Sequence, residues 1–278
     1  MVKSSTLMGV LGLAKIKQAE FSDRWTLITG GASGIGYACA QHLADLGSHM
    51  VLLDLDSKKL DQAVLAIRAK GVHAIGYTVD ITDTSALEDI QASLHEKQIP
   101  IRHLITAAGV LQPMHDINTL DQKVHDRVWD VNYHGTYHSC RIWGQAIAQA
   151  NGGSIVTVSS ITSLRPTPLL AYGPAKAALG ALTASLAVNY APKNVRINAI
   201  APGFTLTEAL QEKFDSGQRD PGSIVEHIPM RRLAEPIEIA QAVAFLLSDQ
   251  ASAITGVTLP VDCGWLAGAS WATYQPLP

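Results

Sequence analysis

Short apolar runs alternate along the chain with longer stretches in which apolar residues recur at helical spacing. The short runs predict strands at residues 25–29, 50–54, 73–79, 103–106, 154–159, 195–200 and 257–261. The longer stretches predict helices at residues 34–46, 57–70, 85–97, about 120–150, 171–190 and 236–247. Strands that are apolar throughout and alternate with helices are typical of a parallel sheet covered on both faces. The pattern therefore predicts an α/β fold with a single doubly wound parallel sheet and helices on both faces.

Residues 203–232 form the only long stretch without a clear period. Such a stretch in a compact domain is often a lid or a binding loop, and we expect a lid here. Pro260 lies inside the last apolar run and weakens that strand prediction, because proline occurs in sheets mainly at their edges. We interpret residues 21–266 as one domain, with an N-terminal arm at residues 1–20 and a tail at residues 267–278.

The composition excludes several classes of protein. The 278 residues are 47% hydrophobic and 16% charged, which is ordinary for a soluble globular protein. The formal charge of −3 and the lack of a polybasic run argue against nucleic acid as a partner. No apolar run approaches the roughly 18 residues that a membrane span needs, and the N-terminus shows no convincing signal cleavage site. We expect a cytoplasmic protein that binds neither nucleic acid nor membrane.

Cysteine and histidine spacing gives no metal site. Cys39, Cys140 and Cys263 are scattered and form no Cys-x-x-Cys pair, a pattern that favours reduced thiols over disulfides or a metal site. His134 and His138 lie four residues apart on a predicted helix, but the sequence offers no third ligand. We expect no metal and interpret the two histidines as part of a helix face that packs against another subunit.

A glycine-rich segment at residues 29–36, Thr-Gly-Gly-Ala-Ser-Gly-Ile-Gly, lies between the first predicted strand and the first predicted helix. Its glycines allow a tight turn and a close approach of the main chain to a pyrophosphate. The start of the helix offers free N–H groups and a positive dipole end. No Gly-Lys-Ser/Thr follows, which excludes a P-loop nucleoside triphosphatase. The segment predicts a dinucleotide-binding loop on a Rossmann-like sheet.

Asp54 ends the second predicted strand. An acid at this place hydrogen-bonds the adenosine ribose hydroxyls of NAD and repels the 2′-phosphate of NADP. No arginine or lysine lies in the glycine-rich loop, and Leu55 follows the acid, so NAD is the expected cofactor. The alternative interpretation of Asp54 is an acid that caps a neighbouring turn.

Tyr172 and Lys176 lie four residues apart on the helix predicted after the fifth strand. That spacing puts both side chains on one helix face. An ammonium group beside a phenol favours the phenolate and lowers the tyrosine pKa, so the pair predicts a general acid and base. The pair alone is weak evidence, because such pairs occur by chance on many helix surfaces. The glycine-rich loop and Ser160, which follows the fifth strand, strengthen it.

Together these motifs resemble those of the short-chain dehydrogenase/reductase family over about residues 21–266. Residues 29–36 are similar to the family's TGxxxGxG loop, and Tyr-Gly-Pro-Ala-Lys at residues 172–176 is similar to its YxxxK motif. Asn132, in Trp-Asp-Val-Asn, matches the helix asparagine of the family's proton relay. Residues 198–203, Asn-Ala-Ile-Ala-Pro-Gly, match the segment that holds the nicotinamide amide.

The chain departs from the family pattern in three places. Thr106 and Ala107 replace two asparagines, which alters the packing behind the adenosine, and Cys263 replaces a frequent glycine. The interval between Ser160 and the tyrosine is one residue shorter than in many members. Ser159 would restore the commoner interval, but Ser160 aligns better by its place after the strand.

The resemblance implies a role for each catalytic residue. Tyr172 donates and accepts the proton, Lys176 lowers its pKa and holds the nicotinamide ribose, and Ser160 orients the substrate oxygen. Asn132 kinks its helix and holds a water that links Lys176 to solvent. The implied cofactor-binding residues are Gly30, Ser33, Gly34, Ile35, Gly36, Asp54, Leu55, Asp80, Ile81, Ala107, Ala108, Gly109, Tyr172, Lys176, Pro202, Gly203, Thr205 and Thr207.

The resemblance also implies an activity, the NAD-dependent interconversion of a secondary alcohol and its ketone. We favour a polyol, a sugar or another small hydroxy compound as substrate, since Asp54 suits catabolic oxidation with NAD. A 3-hydroxyacyl thioester and a cyclic or aromatic alcohol stay open. The rival from another class is a non-catalytic dinucleotide-binding regulator, against which the presence of all four catalytic residue types argues. The family's common assembly implies a homodimer or homotetramer through the helices at residues 120–150 and 171–190.

Three residues outside these motifs lie where a substrate could approach. Arg165 follows Ser160 in the chain, and we interpret it as solvated, with an anionic substrate as its alternative partner. We interpret Trp265 and Trp271 as packing residues, although a tail after the last strand can reach the mouth of an active site.

Overall fold

The computed structural model describes residues 20–268, in which a parallel sheet lies between two layers of helices. The strands are β1 Trp25–Thr29, β2 His49–Asp54, β3 Ala74–Thr78, β4 Ile101–Thr106, β5 Gly153–Val158, β6 Val195–Pro202 and β7 Thr258–Val261. They lie in the order β3-β2-β1-β4-β5-β6-β7, and every neighbouring pair is parallel. The predicted α/β fold with one doubly wound sheet is confirmed. The predicted arm up to residue 19 and the tail from residue 269, with Trp271, lie outside the described residues.

Helices follow most of the strands. They are α1 Gly34–Asp45, α2 Ser57–Arg68, α3 Thr84–Glu96, α4 Gln122–Trp129, α5 Thr136–Gln149, α6 Tyr172–Tyr190, α7 Glu208–Asp215, α8 Pro221–Val225, α9 Pro236–Leu247 and α10 Trp265–Gly268. None of the helices between residues 20 and 268 combines the length and the apolar character that crossing a membrane requires.

Two apolar cores lie on the two faces of the sheet. Successive strand residues alternate between them: Ile28 and Leu52 belong to one core, and Leu27 and Val51 belong to the other. Helices α1, α2 and α9 cover the first core, and α3, α5 and α6 cover the second. Because both faces are buried, these strands have no polar alternation, which is the pattern seen in the sequence. The carboxyl ends of all the strands meet at one edge of the sheet, where α/β folds bind their ligands.

The sequence predicts a helical region over residues 120–150, and the structure interrupts this region in its middle. A π-helical turn, Asp130–Gly135, separates α4 from α5. Asn132 lies in this turn, and its Nδ2 donates to the carbonyl oxygens of Val128 and Val110, both at 2.9 Å. A wider turn of this kind is rare and is frequent at functional sites. Sequence periodicity did not reveal it, because the apolar pattern continues through both flanking helices.

The segment at residues 203–232 is more regular than its sequence suggests. It contains α7 and α8, two helices too short to give a clear period. Asp220 accepts hydrogen bonds from the N–H groups of Gly222 and Ser223 and so caps α8. Gly217, with a φ of 69°, separates the two helices. Closure of this segment as a lid stays a prediction.

The proline in the last predicted strand is explained by its place in the sheet. Strand β7 lies at the edge, and Pro260 pairs with Ala201 of β6. An edge strand tolerates proline because one side of its ladder has no partner strand.

Candidate active site

A cleft of about 820 Å³ lies at the carboxyl ends of the strands. Every cofactor-binding residue implied by the family resemblance lines this cleft, as do Ser160, Gln112 and several apolar side chains. Asn132 lies behind the wall and does not line it. One cavity therefore brings together motifs that are separated by more than a hundred residues in the chain.

The glycine-rich loop between β1 and α1 has a main-chain path that only glycine allows. Gly30 has a φ of 67°, and a Cβ there would lie 2.7 Å from the Cα of Ala108. A Cβ on Gly36 would overlap the carbonyl oxygen of Gly30. Ser33, the N-cap of α1, makes no side-chain hydrogen bond to the helix, so no side chain of the cap competes for its first N–H groups. This arrangement fits a pyrophosphate.

Asp54 at the end of β2 has two main-chain partners. Its Oδ2 accepts from the N–H of Ala32 at 3.0 Å, and its Oδ1 accepts from the N–H of Asp56 at 3.1 Å. The turn-capping interpretation of this acid therefore holds. Because each carboxylate oxygen can accept more than one hydrogen bond, the capping role leaves acceptors for ribose hydroxyls. Leu55 beside it is largely exposed.

Ser160 and Tyr172 meet at the wall of the cleft. Tyr172 is the first residue of α6, and the side chain of Ser160 acts on its phenol, lowering the tyrosine pKa. Ser160 Oγ also accepts from the N–H of Thr162 at 3.2 Å. Ser159 turns away and donates to the carbonyl oxygen of Lys176 at 3.0 Å. The structure therefore places Ser160, and not Ser159, beside the tyrosine hydroxyl.

Lys176 lies one helical turn beyond the tyrosine and is buried. Its Nζ donates to the carbonyl oxygen of Val158 at 2.8 Å and lies 5.6 Å from the centre of the Tyr172 ring. Burial lowers the pKa of Lys176 to about 8. Burial raises the pKa of Tyr172 to about 12, and the side chain of Ser160 opposes this rise only in part. The expected lowering of the tyrosine pKa is therefore wrong for this structure, because burial of the phenol disfavours its charged form.

Asn132 reaches the same place from behind the wall. Its Oδ1 is buried and has no hydrogen-bond partner among the described residues. A Cβ built on Gly109 would lie 2.7 Å from this oxygen and 3.6 Å from Nζ of Lys176. Asn132 and Lys176 are thus neighbours across Gly109. An unpaired buried acceptor beside an ammonium group is a suitable site for a bridging water.

Gln112 is a site residue that the sequence analysis missed. It lies in the loop after β4 and is only 5% exposed. Its Oε1 accepts from the N–H of Ala171 at 2.6 Å and from the N–H of Tyr172 at 2.9 Å. Because Ala171 at the N-cap has no side-chain acceptor, Gln112 caps the helix that carries the tyrosine. No local motif marks this contact, which joins residues 60 positions apart.

Aromatic and cationic side chains form the cleft wall beyond the tyrosine. The rings of Phe204 and Trp265 pack edge to face at 6.1 Å, and both line the cleft. The guanidinium of Arg219 lies 5.1 Å from the Phe204 ring centre, and that of Arg165 lies 6.0 Å from the Trp265 ring centre. Arg165 is half-buried, so Trp265 covers part of its side chain and the rest is open to solvent. Trp265 packs, as expected, and also faces the cleft.

Comparisons with known proteins agree with this geometry. The family model described as enoyl-(acyl carrier protein) reductase matches residues 30–266. The chain is 34% identical over 250 residues to 2,3-dihydro-2,3-dihydroxybenzoate dehydrogenase of Bacillus subtilis (strain 168), and the match covers 87% of this chain and 95% of that protein.

Solved structures are similar over most of their length. A crystal structure described as ribose-5-phosphate isomerase from Brucella melitensis 16M matches with a TM-score of 0.87 and 36% identity, covering 94% of this chain and 99% of that chain. An NAD+-bound xylitol dehydrogenase matches with a TM-score of 0.82 and 30% identity, covering 87% of this chain and 98% of that chain.

Proposed function

Because the chain belongs to the short-chain dehydrogenase/reductase family, we propose that it is an NAD-dependent oxidoreductase that interconverts a secondary alcohol and its ketone. Tyr172 is the general acid and base. One observation carries the proposal: Ser160 and Tyr172 lie together on the wall of a cleft that also contains the glycine-rich loop. A substrate oxygen in contact with both hydroxyls meets a proton donor and an orienting group together.

Each residue has a defined task in the proposed reaction. In ketone reduction, Ser160 holds the carbonyl oxygen and Tyr172 gives it a proton. In oxidation the phenolate of Tyr172 takes the hydroxyl proton. When bound, the nicotinamide supplies the donor or acceptor for the hydride of the carbinol carbon, and its oxidised form adds a positive charge beside the phenol. Lys176 and Asn132 connect the phenol to a buried water site.

The tyrosine pKa bears on the direction of proton transfer. A pKa of about 12 keeps Tyr172 protonated near neutral pH, which suits its role as the donor in reduction. Oxidation needs positive charge near the ring to lower that pKa. This charge must be additional to Lys176, because the pKa of about 12 holds with the lysine in place.

NAD is the proposed cofactor, and Asp54 is its main support. The carboxylate stands at the end of β2 with acceptor capacity left over, and a 2′-phosphate there would meet a like charge. The similarity to an NAD+-bound xylitol dehydrogenase agrees with this choice. Asp54→Arg should reverse the preference between NAD and NADP. Wild-type protein that prefers NADP would refute the cofactor assignment.

The activity is tested by NADH absorbance with a panel of secondary alcohols, including xylitol, ring alcohols and a 3-hydroxyacyl thioester, each with NAD and with NADP. We expect turnover with at least one alcohol and none with Tyr172→Phe. Binding of NAD without turnover of any alcohol or ketone would favour the non-catalytic regulator. Interconversion of ribose 5-phosphate without added cofactor would favour an isomerase, the activity named for one similar structure.

We also propose that the enzyme works in the cytoplasm as a homodimer or homotetramer. Tyr137 on α5 and Val188 on α6 are exposed to 39% and 78%, and apolar groups of this kind suit a helix-mediated interface. Buried free thiols at Cys39 and Cys140 agree with a reducing compartment. Light scattering of the purified protein measures the assembly; a monomer at micromolar concentration would refute it.

A further inference from the structure

The cleft wall beyond Tyr172, which we call the substrate half, consists of Gln112, Leu169, Phe204, Arg219 and Trp265. Its lining is mostly apolar, and the carbonyl group of Gln112 is already engaged by two main-chain N–H groups. A polyol needs a polar partner for each buried hydroxyl. Leu169, Phe204 and Trp265 offer none, whereas Thr162 and Thr167, on the loop after Ser160, line the same cleft with buried hydroxyls that have no partner among the described residues. The aromatic pair itself suits an apolar or ring skeleton.

Charge in the substrate half has one sign. The acids that line the cleft, Asp54 and Asp80, belong to the cofactor-binding part, and Asp80 is already paired with Arg127 at 2.8 Å. Arg219 and Lys213 are the charged residues that line the cleft near the aromatic pair.

Arg219 lines the cleft with its hydrogen-bond donors free. Its guanidinium carbon lies 5.1 Å from the centre of the Phe204 ring, a cation–π distance, and the residue is exposed. Within residues 20–268 the side chain of Arg219 makes no ion pair or hydrogen bond. The adjacent acid, Asp220, accepts the N–H groups of Gly222 and Ser223 and does not line the cleft.

The cofactor pyrophosphate is an unsuitable partner for this guanidinium. Helix α7 begins beside α2, where Glu208 lies 3.9 Å from Lys59, and its eight residues extend about 12 Å. Arg219 lies past the far end of α7, against Phe204 and one ring away from Trp265. Arg219 therefore lies beside the aromatic pair of the substrate half, where its free donors are available to an anion.

We propose that the substrate is a hydroxy acid: a secondary alcohol on a compact apolar or ring skeleton whose carboxylate pairs with Arg219. The inference rests on the proposed dehydrogenase activity and deepens it. The skeleton packs against Phe204 and Trp265, and the carboxylate pairs with the guanidinium. The guanidinium of Arg219 lies over the Phe204 ring, and that of Arg165 lies 6.0 Å from the centre of the Trp265 ring.

The test compares two substrates that differ only in charge. 3- and 4-hydroxycyclohexanecarboxylate are measured against their neutral carboxamides, with NAD at saturation. Charged hydrogen bonds are worth about 1.5–3 kcal/mol, so we expect kcat/KM for the preferred acid to exceed that of its amide by about tenfold or more. Arg219→Gln should lower kcat/KM for the acid about tenfold more than for the amide, mainly through KM. Arg219→Lys should restore part of the difference.

Arg231→Gln is the matched control, an arginine of the same segment that does not line the cleft. It should leave the preference for the acid intact. Equal kcat/KM for acid and amide in the wild type would overturn the inference, as would an equal loss for both in Arg219→Gln. If Arg219→Gln raises only the KM for NAD, Arg219 is a cofactor-binding residue and not a substrate-binding one.

The inference and the proposed function fail in distinguishable ways. Turnover of neutral alcohols without preference for the acid would refute the hydroxy-acid substrate and leave the dehydrogenase. If no alcohol is turned over, the proposed dehydrogenase activity is refuted. The anion site is then tested by the binding of the acid and of the amide to the protein with NADH, measured by tryptophan fluorescence. Tighter binding of the acid than of the amide, lost in Arg219→Gln, supports the anion site; equal binding refutes it.

Discussion

The two halves of the cleft are built by different means. The cofactor half is formed largely by main chain: the loop after β1 approaches the loop after β4 so closely that Gly30 has no room for a Cβ. The substrate half is formed by side chains from four separate segments, with Gln112, Leu169, Phe204 and Trp265 as their representatives. The main-chain half follows from the sheet itself. The side-chain half can change its chemistry without changing the fold.

The halves meet at Tyr172. Its side chain lies beside Ser160 at the cleft wall, and its main-chain N–H donates to Gln112 from the loop after β4. The same loop accepts a hydrogen bond from Asn132 through the carbonyl of Val110. Variants on either side of this junction should therefore separate cofactor binding from turnover.

The largest expected effect is on turnover, at the junction itself. Tyr172→Phe removes the proton donor and keeps the ring, so kcat should fall by about 10²–10⁴-fold, while NAD affinity measured by calorimetry should stay unchanged. Tyr77→Phe is the control. Tyr77 lies on the edge strand β3, outside the lining of the cleft, and its hydroxyl accepts a hydrogen bond from Lys97. Residual activity above a few per cent would remove Tyr172 from the acid–base role.

A second prediction concerns the free energy of unfolding, which the burial of Lys176 lowers. Burial holds the pKa of Lys176 at about 8, below the usual lysine value of 10.5, so between those values the unfolded chain binds more protons than the folded one. The free energy of unfolding should therefore rise with pH in this window, by at most about 3 kcal/mol. Above a pH of about 10 the raised pKa of Tyr172 opposes the rise.

Lys176→Met should lack this rise between pH 8 and about 10 when unfolding is followed in urea. Lys58→Met, a substitution of an exposed lysine, should keep the wild-type slope. The same slope in Lys176→Met and wild type would mean that the lysine keeps its charge up to high pH.

The third prediction tests the main-chain half. Gly36→Ala puts a Cβ onto the carbonyl oxygen of Gly30, and overpacking of this kind costs about 1–3 kcal/mol. It should also weaken NAD binding about tenfold, because the loop must move. Gly71→Ala is the control: its φ is 87°, but a Cβ there meets nothing within 4 Å. Normal NAD affinity in Gly36→Ala would show that the loop adapts.

The same contrast explains what the sequence could predict. The fold and the cofactor loop follow from local patterns: apolar strands, glycines at fixed spacing and an acid at the end of β2. Gln112 and Arg219 carry no such pattern, because their partners are Tyr172 and Phe204, which only the fold brings near them. The π turn at Asn132 and the burial that reverses the expected tyrosine pKa shift are also properties of the packed chain.

Substitutions at Gln112 should have the smallest effect. Gln112 links the two halves of the cleft but takes no part in the proton transfer. Gln112→Leu leaves the N–H groups of Ala171 and Tyr172 unpaired, at a cost of about 1–3 kcal/mol. If that cost displaces the start of α6, kcat should fall about tenfold while NAD affinity and KM change little. Gln112→Glu keeps an acceptor for both N–H groups and should recover most of kcat. Its added negative charge disfavours the phenolate, so the pH profile for oxidation should shift upward. Loss of activity in both variants with no shift in the pH profile would mean that Gln112 only stabilises the loop and does not position the tyrosine.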